Sequence, residues 1–209
     1  MQLALPGGAE VAVDLPLLGD FNLENLLVSV GIGSALGASP AQIAAGVASC
    51  RQVPGRIERV GDALGPRVIV DYAHTPDAIE KLLATLRPLC RGRFVAVFGC
   101  GGDRDPGKRS MMGAIAAELA DEIILTDDNP RTEDPQQIIA AIIEGIPSGE
   151  SVRVLRERAR AISTALGEAG ADDIVLIAGK GHEDYQIYGA ASQPFSDRIE
   201  VQRLLGGSA

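Results

Sequence analysis

"RVIVDYAHTPDAIEKLLATLRPLCRGRFVAVFG", residues 67–99, decides the fold. It opens on a β-branched run, "RVIVDY" at 67–72, with scarcely any polar alternation. A helical pattern follows in "DAIEKLLATLRPL", where Ile79, Leu82, Leu83 and Leu86 recur at the spacing of one helix face. "RFVAVFG" at 93–99 is a second apolar run. Strand, helix and strand in sequence, with strands apolar throughout, predict a parallel pair buried on both faces. The alternation continues through strands "EIILTD" (122–127), "VRVL" (152–155) and "DIVLIAG" (173–179), separated by "SMMGAIAAELA", "PQQIIAAIIEGI" and "RERARAISTAL". The expected fold is therefore α/β, a Rossmann-like, mostly parallel sheet with helices on both faces. "YQIYG…FSDRIEVQRLL" adds a short strand or hairpin and a closing helix, capped by Ser196 or Asp197.

The first 54 residues differ in kind. "MQLALPGGAEVAVDLPLLGDFN" reads as a hairpin around Gly7-Gly8, followed by helices in "NLENLLVSVGIGSALG" and "SPAQIAAGVASC". Asn22 or Ser39 would cap these by side-chain oxygen, and Pro40 at the first helical position supports the second start. This segment lacks a sheet of its own to cover and reads as the tail of a preceding domain.

Hydrophobic residues make up 46% of the 209, aromatics only 3%, so Ala, Val, Ile and Leu must fill the core. The net charge of −9, without a basic stripe, argues against nucleic acid as a partner. Cys50, Cys90 and Cys100 have no CxxC spacing, and buried free thiols in a reducing compartment fit them. With neither a signal-like start nor a long apolar stretch, the chain reads as soluble and cytoplasmic, with no membrane partner.

Four loops follow strand carboxyl ends, where doubly wound sheets bind ligands: "DYAHTPDA", "GCGGDRDPGKR", "DDNPRTEDP" and "GKGHEDY". The second approaches an ATP loop, G-x-x-x-x-G-K from Gly102, but Arg109 stands where Ser or Thr would bind magnesium. Asp103 and Asp105 would repel a triphosphate, whereas Arg104, Lys108 and Arg109 favour a smaller anion such as a carboxylate. A damaged nucleotide loop stays open as the alternative. In "DNPR", Asp128 can bond an ammonium and Arg131 can grip a carboxylate with two prongs, while Pro130 stiffens the turn. The same string also suits a helix start capped by Thr132, with Glu133 or Asp134 favouring the dipole. Glu183 could bind a second ammonium. His74 and His182 lack the pair spacing of metal ligands. One acid and one base at each end suit an amino acid with two zwitterionic heads.

Taken in order, "DYAHTPDA", "GCGGDRDPGKR", "TDDNPRTEDP" and "AGKGHEDYQ" resemble the carboxyl-terminal part of the Mur ligases, most closely the diaminopimelate-adding branch. The resemblance runs from "LLGDFNLENLL" to "SDRIEVQRLL", nearly the whole chain. It implies an ATP-dependent ligase of peptidoglycan biosynthesis. In that family ATP phosphorylates the terminal carboxyl of a UDP-N-acetylmuramoyl dipeptide, and the amine of meso-diaminopimelate attacks the acyl phosphate. By resemblance Arg104, Asp128, Asn129, Pro130, Arg131, Gly179 and Glu183 bind diaminopimelate; lysine-adding relatives lack the DNPR arginine. Asn25 in "GDFNLEN" would meet the adenine, Arg56 the phosphates, Asp71 the ribose, and His74 would lie near the adenine.

The resemblance also implies what these residues do not contain. The G-x-x-G-K-[ST] loop, the magnesium-bridging modified lysine and the uridine-nucleotide domain would lie upstream. Residues 1–54 would be the end of the central ATP-binding domain and 55–209 a carboxyl-terminal, amino-acid-binding domain. The expectation is a piece inactive alone, without catalytic or Mg2+-binding residues of its own. A non-catalytic amino-acid or nucleotide-binding module on the same domain is the alternative.

Overall fold

The computed structural model describes residues 1–206 apart from 7, 14, 16 and 62–64. The chain divides into two compact units, Met1–Val53 and Pro54–Ala209.

In the smaller unit, β1 (Gln2–Ala4) and β2 (Glu10–Ala12) pair antiparallel, with Leu3 opposite Val11. The expected Gly7-Gly8 turn lies partly outside the described residues; Gly8 takes φ +84, a conformation that favours glycine. Helix α1 spans Asp20–Ala35 and α2 spans Pro40–Ala48. Ser39 caps α2 as expected, with Gln42 completing a reciprocal box. Asn22 is not a cap: the N-cap of α1 is Gly19, and Asn22 lies one turn inside, donating Nδ2 to the Leu18 carbonyl at 2.7 Å. Leu3, Leu5, Val11, Val13, Leu26, Val30 and Ile43 form a small core between hairpin and helices.

The larger unit holds a six-stranded sheet of β3 (Glu58–Val60), β4 (Arg67–Asp71), β5 (Phe94–Phe98), β6 (Glu122–Leu125), β7 (Val152–Val154) and β8 (Ile174–Ala178). Their order is β3-β4-β8-β5-β6-β7, with β3 antiparallel and the others parallel. The five strands read from the sequence are all present, a little shorter; β3, in the "GRIERV" stretch, is an addition. Alternate strand residues divide the core. Ile69, Phe94, Ala96, Leu125 and Leu176 face helices α3 (Pro76–Leu86), α4 (Lys108–Leu119) and α5 (Pro135–Ile143). Val68, Val70, Val97, Ile124 and Val175 face α6 (Arg158–Glu168) and α7 (Asp197–Leu204). Helices on both faces follow from strands that are apolar on both faces.

The closing segment forms a hairpin, β9 (Tyr185–Tyr188) with β10 (Ala191–Pro194), before α7. Ser196 is the cap of α7. Asp197 is spent elsewhere, on a fully buried pair with Arg158: Nε to Oδ1 at 2.7 Å and Nη2 to Oδ2 at 2.8 Å. Nη2 of Arg158 also donates to the Ala178 carbonyl at the end of β8. The cysteines are free, as expected, but only Cys100 is buried; Cys50 is exposed and Cys90 half-buried. Among the described residues no helix is long and apolar enough to cross a membrane.

The two units differ in how deeply they bury their cores. The apolar core residues of the smaller keep 5–8% of their surface, whereas Val68, Val97, Leu176 and Ile177 of the larger keep none. Local opening should therefore be easiest in the smaller unit. Hydrogen exchange should show α1 and α2 exchanging well before β5 and β8; equal protection would contradict this ranking.

Candidate functional site

At the carboxyl edge of the parallel strands, all four singled-out loops line one cleft of about 490 Å3. The first gives Tyr72, His74 and Thr75; the second Gly101, Arg104, Asp105 and Lys108; the third Asp128, Asn129 and Arg131; the fourth Gly179, Glu183 and Tyr185. The loops approach closely because glycines permit it. A Cβ on Gly99 would lie 2.0 Å from the Thr126 carbonyl oxygen, and one on Gly102 would lie 1.9 Å from that of Pro130.

Polarity within the cleft is organised around two other glycines. Arg131 Nη1 and the Arg104 side chain pass beside Gly101, within 2.9 and 3.7 Å of where a Cβ would stand. The Asp128 carboxylate passes beside Gly179, at 3.2 Å from the corresponding point, and Gly179 holds φ +115. Asp128 is 6% exposed, and its Oδ1 has no hydrogen-bond partner. That oxygen lies 3.2 Å from Lys180 Nζ, within ion-pair range but outside hydrogen-bond direction. A buried acceptor with unspent capacity suits an incoming N–H donor. Glu183 accepts from Asn129 Nδ2 at 2.9 Å and from Lys180 at 3.3 Å, both on Oε2.

The Asp128–Arg131 loop is held from behind by the β9 hairpin. Arg131 N donates to Ile187 O, Gly189 N donates to Arg131 O, and Gln186 Nε2 donates to the carbonyls of Asp127 and Asp128. Arg131 adopts φ +53, a costly conformation for a residue with a Cβ. Its Nη1 donates to Gly102 O at 2.8 Å and to Asn129 O at 3.4 Å. A guanidinium carries five N–H donors, so others remain for an anion.

Several side chains have turned inward to build the loops. Arg109, grouped with Arg104 and Lys108 as anion-facing in the sequence, is 4% exposed and meets both oxygens of Glu133 at 2.9 Å. Lys108 donates to the His74 carbonyl at 2.7 Å. Thr132 is not the cap of α5; Asp134 is, and the Thr132 hydroxyl donates to Asp103 at 2.7 Å. That hydroxyl and the Thr132 amide hold the Asp103 carboxyl below its usual range. Asp105 accepts from the Gly107 amide at 2.9 Å. The two acids in the loop thus brace its backbone.

The residues assigned by resemblance fall into three groups. Arg104, Asp128, Asn129, Arg131, Gly179, Glu183 and His74 line the cleft, whereas Pro130 supports it through the carbonyl against Gly102. Arg56 and Asp71 lie beside it: Arg56 stacks over the Tyr72 ring at 4.9 Å, and Asp71 is buried, accepting from the Ile57 and Ala73 amides at 2.7 Å. Burial raises the Asp71 carboxyl despite those two bonds. Asn25 lies in the smaller unit, in an apolar cleft of about 320 Å3 with Asn22, Leu15, Leu17, Leu26 and Val47. Tyr72, Tyr185 and the buried Lys180 were not singled out in the sequence; a lysine between two glycines after an apolar strand was the available signal. Among the described residues no three His, Cys, Asp or Glu side chains cluster as a metal site. Burial pushes the Cys100 thiol to about 11, away from nucleophilic use.

The Arg109–Glu133 brace joins the second and third loops through a buried cation. Arg109→Met should cost roughly 1.5–3 kcal/mol, the range for a hydrogen bond to a charged group. Urea unfolding of the larger unit checks this, and a loss below about 0.5 kcal/mol, the range of surface changes, would remove the brace from the account.

Comparison with known proteins gives consistent results. The family "Mur ligase, glutamate ligase domain" matches residues 55–181. The UDP-N-acetylmuramoyl-L-alanyl-D-glutamate–2,6-diaminopimelate ligase of Parasynechococcus marenigrum (strain WH8102) is 56% identical over 195 residues, 91% of this chain and 39% of that protein. The ligase of the same name from Gloeobacter violaceus (strain ATCC 29082 / PCC 7421) is 54% identical over 204 residues, 97% of this chain and 42% of that one. A solved structure of a ligase of this name superposes with TM-score 0.74 at 42% identity, covering 98% of this chain and 42% of that chain. The chain thus spans about 40% of the length of the relatives it matches.

Proposed function

The chain belongs to the Mur ligase family, and on that premise we propose that it supplies the amino-acid-binding part of an ATP-dependent ligase. The reaction adds meso-2,6-diaminopimelate to UDP-N-acetylmuramoyl-L-alanyl-D-glutamate in peptidoglycan biosynthesis. The polarity of the cleft carries the reading: the Arg131 guanidinium passes beside Gly101 and the Asp128 carboxylate beside Gly179, with Arg104 and Glu183 in the same lining. An amino acid with a carboxylate and an amine at each end has partners for both kinds of group. L-lysine lacks the second carboxylate.

In this reading Asp128 and Glu183 accept hydrogen bonds from an ammonium, with Oδ1 of Asp128 unspent for the purpose. Arg131, held by the hairpin at a fixed φ, takes a carboxylate by two parallel bonds. Fixing both ends orients the reacting amine before the chemistry, where positioning contributes most of what binding can give to rate. The cleft around Asn25, with apolar walls and the amide edges of Asn22 and Asn25, has a lining suited to a purine. When bound, ATP supplies the phosphoryl group that activates the acyl carboxylate. Among the described residues no three His, Cys, Asp or Glu side chains cluster to hold Mg2+.

Calorimetric binding of meso-diaminopimelate and L-lysine to wild type, Arg131→Ala and Arg131→Lys tests the proposal. Losing one member of a partly buried charged pair costs roughly 2–5 kcal/mol, or about 30-fold or more in affinity. Arg131→Ala should lose that much for diaminopimelate and little for L-lysine. Arg131→Lys should recover only part, because an ammonium lacks the two-pronged geometry. Equal loss for both ligands, or loss for neither, overturns the assignment.

A further inference from the structure

We infer that Lys180 is a positioning residue: its buried ammonium binds Asp128, Asn129 and Glu183 into one recognition unit that presents a single net negative charge to one ammonium of the acceptor. This deepens the reading of the cleft as an amino-acid site and rests on it.

The backbone first turns the lysine inward. Lys180 follows strand β8 between Gly179 at φ +115 and Gly181 at φ +52, and it is 0% exposed. Its Nζ then meets three acceptors: Asn129 Oδ1 at 3.0 Å, Asp128 Oδ1 at 3.2 Å and Glu183 Oε2 at 3.3 Å. Asn129 is oriented by the same cation. Its Oδ1 accepts from Lys180 and from the Ile187 amide at 3.1 Å, which leaves Nδ2 to donate to Glu183. The ammonium, the Ile187 amide and the Glu183 carboxylate together fix which way the Asn129 amide faces.

Charge explains why a lysine is needed. Two carboxylates sharing one low-dielectric site repel each other, which disfavours two negative charges there without a cation between them. A lysine between them lets both stay charged and leaves the set at −1, which one ligand ammonium neutralises. A protonated acid would offer that ammonium an O–H where an acceptor is required. Lys180 touches no substrate in this account. It acts through the two acids and the amide.

The other ionisable groups around the set do not compete for this role. The Tyr185 ring lies 5.7 Å from Nζ. The Tyr72 phenol is raised by burial and by Glu183, and the Cys100 thiol is pushed to about 11 by burial. Arg158, on α6, is balanced by Asp197. His74 meets the Tyr72 ring edge-on and His182 lies tilted against it, and both histidines are unchanged in the variants that test the inference.

The test is thermal stability against pH, from 5 to 8, for wild type, Lys180→Met and Lys180→Met/Glu183→Gln. In Lys180→Met one carboxyl keeps its proton in the folded chain at a pH where the unfolded chain has lost it. The unfolded state then binds fewer protons, so stability falls as pH rises from the unfolded value near 4 through the raised folded value. The gap between wild type and variant should widen with pH, by up to about tenfold in the folded-to-unfolded ratio per pH unit while the group titrates. In the double variant, with one buried acid, no second carboxylate to repel it and no lysine, the gap should widen less with pH and be smaller at pH 8. A lysine that merely fills space predicts a gap independent of pH in the single variant, and that result overturns the inference. If Lys180→Met does not fold, the double variant decides: regained folding supports the inference and continued failure overturns it. The readout needs no ligand, so a wild type that does not bind diaminopimelate counts against the functional reading alone.

Discussion

Strand β8 is buried along its whole length and hydrogen-bonded on both edges, to β4 and to β5. A segment so enclosed has no place for a charged side chain except at its ends. Its amino end follows Asp173, which bonds the Gly170 and Arg93 amides. Its carboxyl end releases Gly179 and Glu183 into the cleft and buries Lys180 behind them, while Arg158 satisfies the last carbonyl from the opposite face. The neighbouring strands run parallel to β8, so their carboxyl ends open at the same edge. Burial of one strand thereby fixes where four loops converge.

The elements written over several residues were the legible ones. Five apolar runs gave five parallel strands, and helical spacing in "DAIEKLLATL" gave α3 with Ile79, Leu82, Leu83 and Leu86 buried. Strand β3 escaped because Glu58–Val60 holds two charged residues and a single apolar one, with no apolar run to mark it. Caps were half legible. Ser39 and Ser196 sit where their residue type predicts, but Gly19 and Asp134 displaced Asn22 and Thr132. Asp134 and Thr132 carry similar oxygens and the backbone path chooses between them, whereas α1 starts at Gly19 with no side-chain cap bond.

For the site, residue type showed which loops carry charge but not which way each charge points. Arg104 and Arg109 stand five positions apart with the same guanidinium. One lines the cleft; the other, on the buried face of α4, is consumed by Glu133. Asp103 looked like an obstacle to an anion and serves as an anchor for Thr132. Lys180 lay inside a string read for its glycine and its glutamate, and its importance depends on Asn129, which is 51 residues away in sequence. Spatial convergence of that kind has no signature in a single sequence.

The hairpin behind the third loop has a consequence for how such a protein could change its diet. Residues Gln186 and Ile187 and the turn at Gly189 hold the backbone that aims Asp128 and Arg131, the last of these through the Arg131–Tyr188 bridge. A selection for another side chain on the acceptor would accordingly find its variants on two surfaces. Some would replace residues in the cleft. Others would lie in the β9–β10 ribbon, touching no ligand, and would act by tilting the platform on which the cleft residues stand. The ribbon would thus shape the site mainly from behind, since Tyr185 is its one residue in the lining of the cleft.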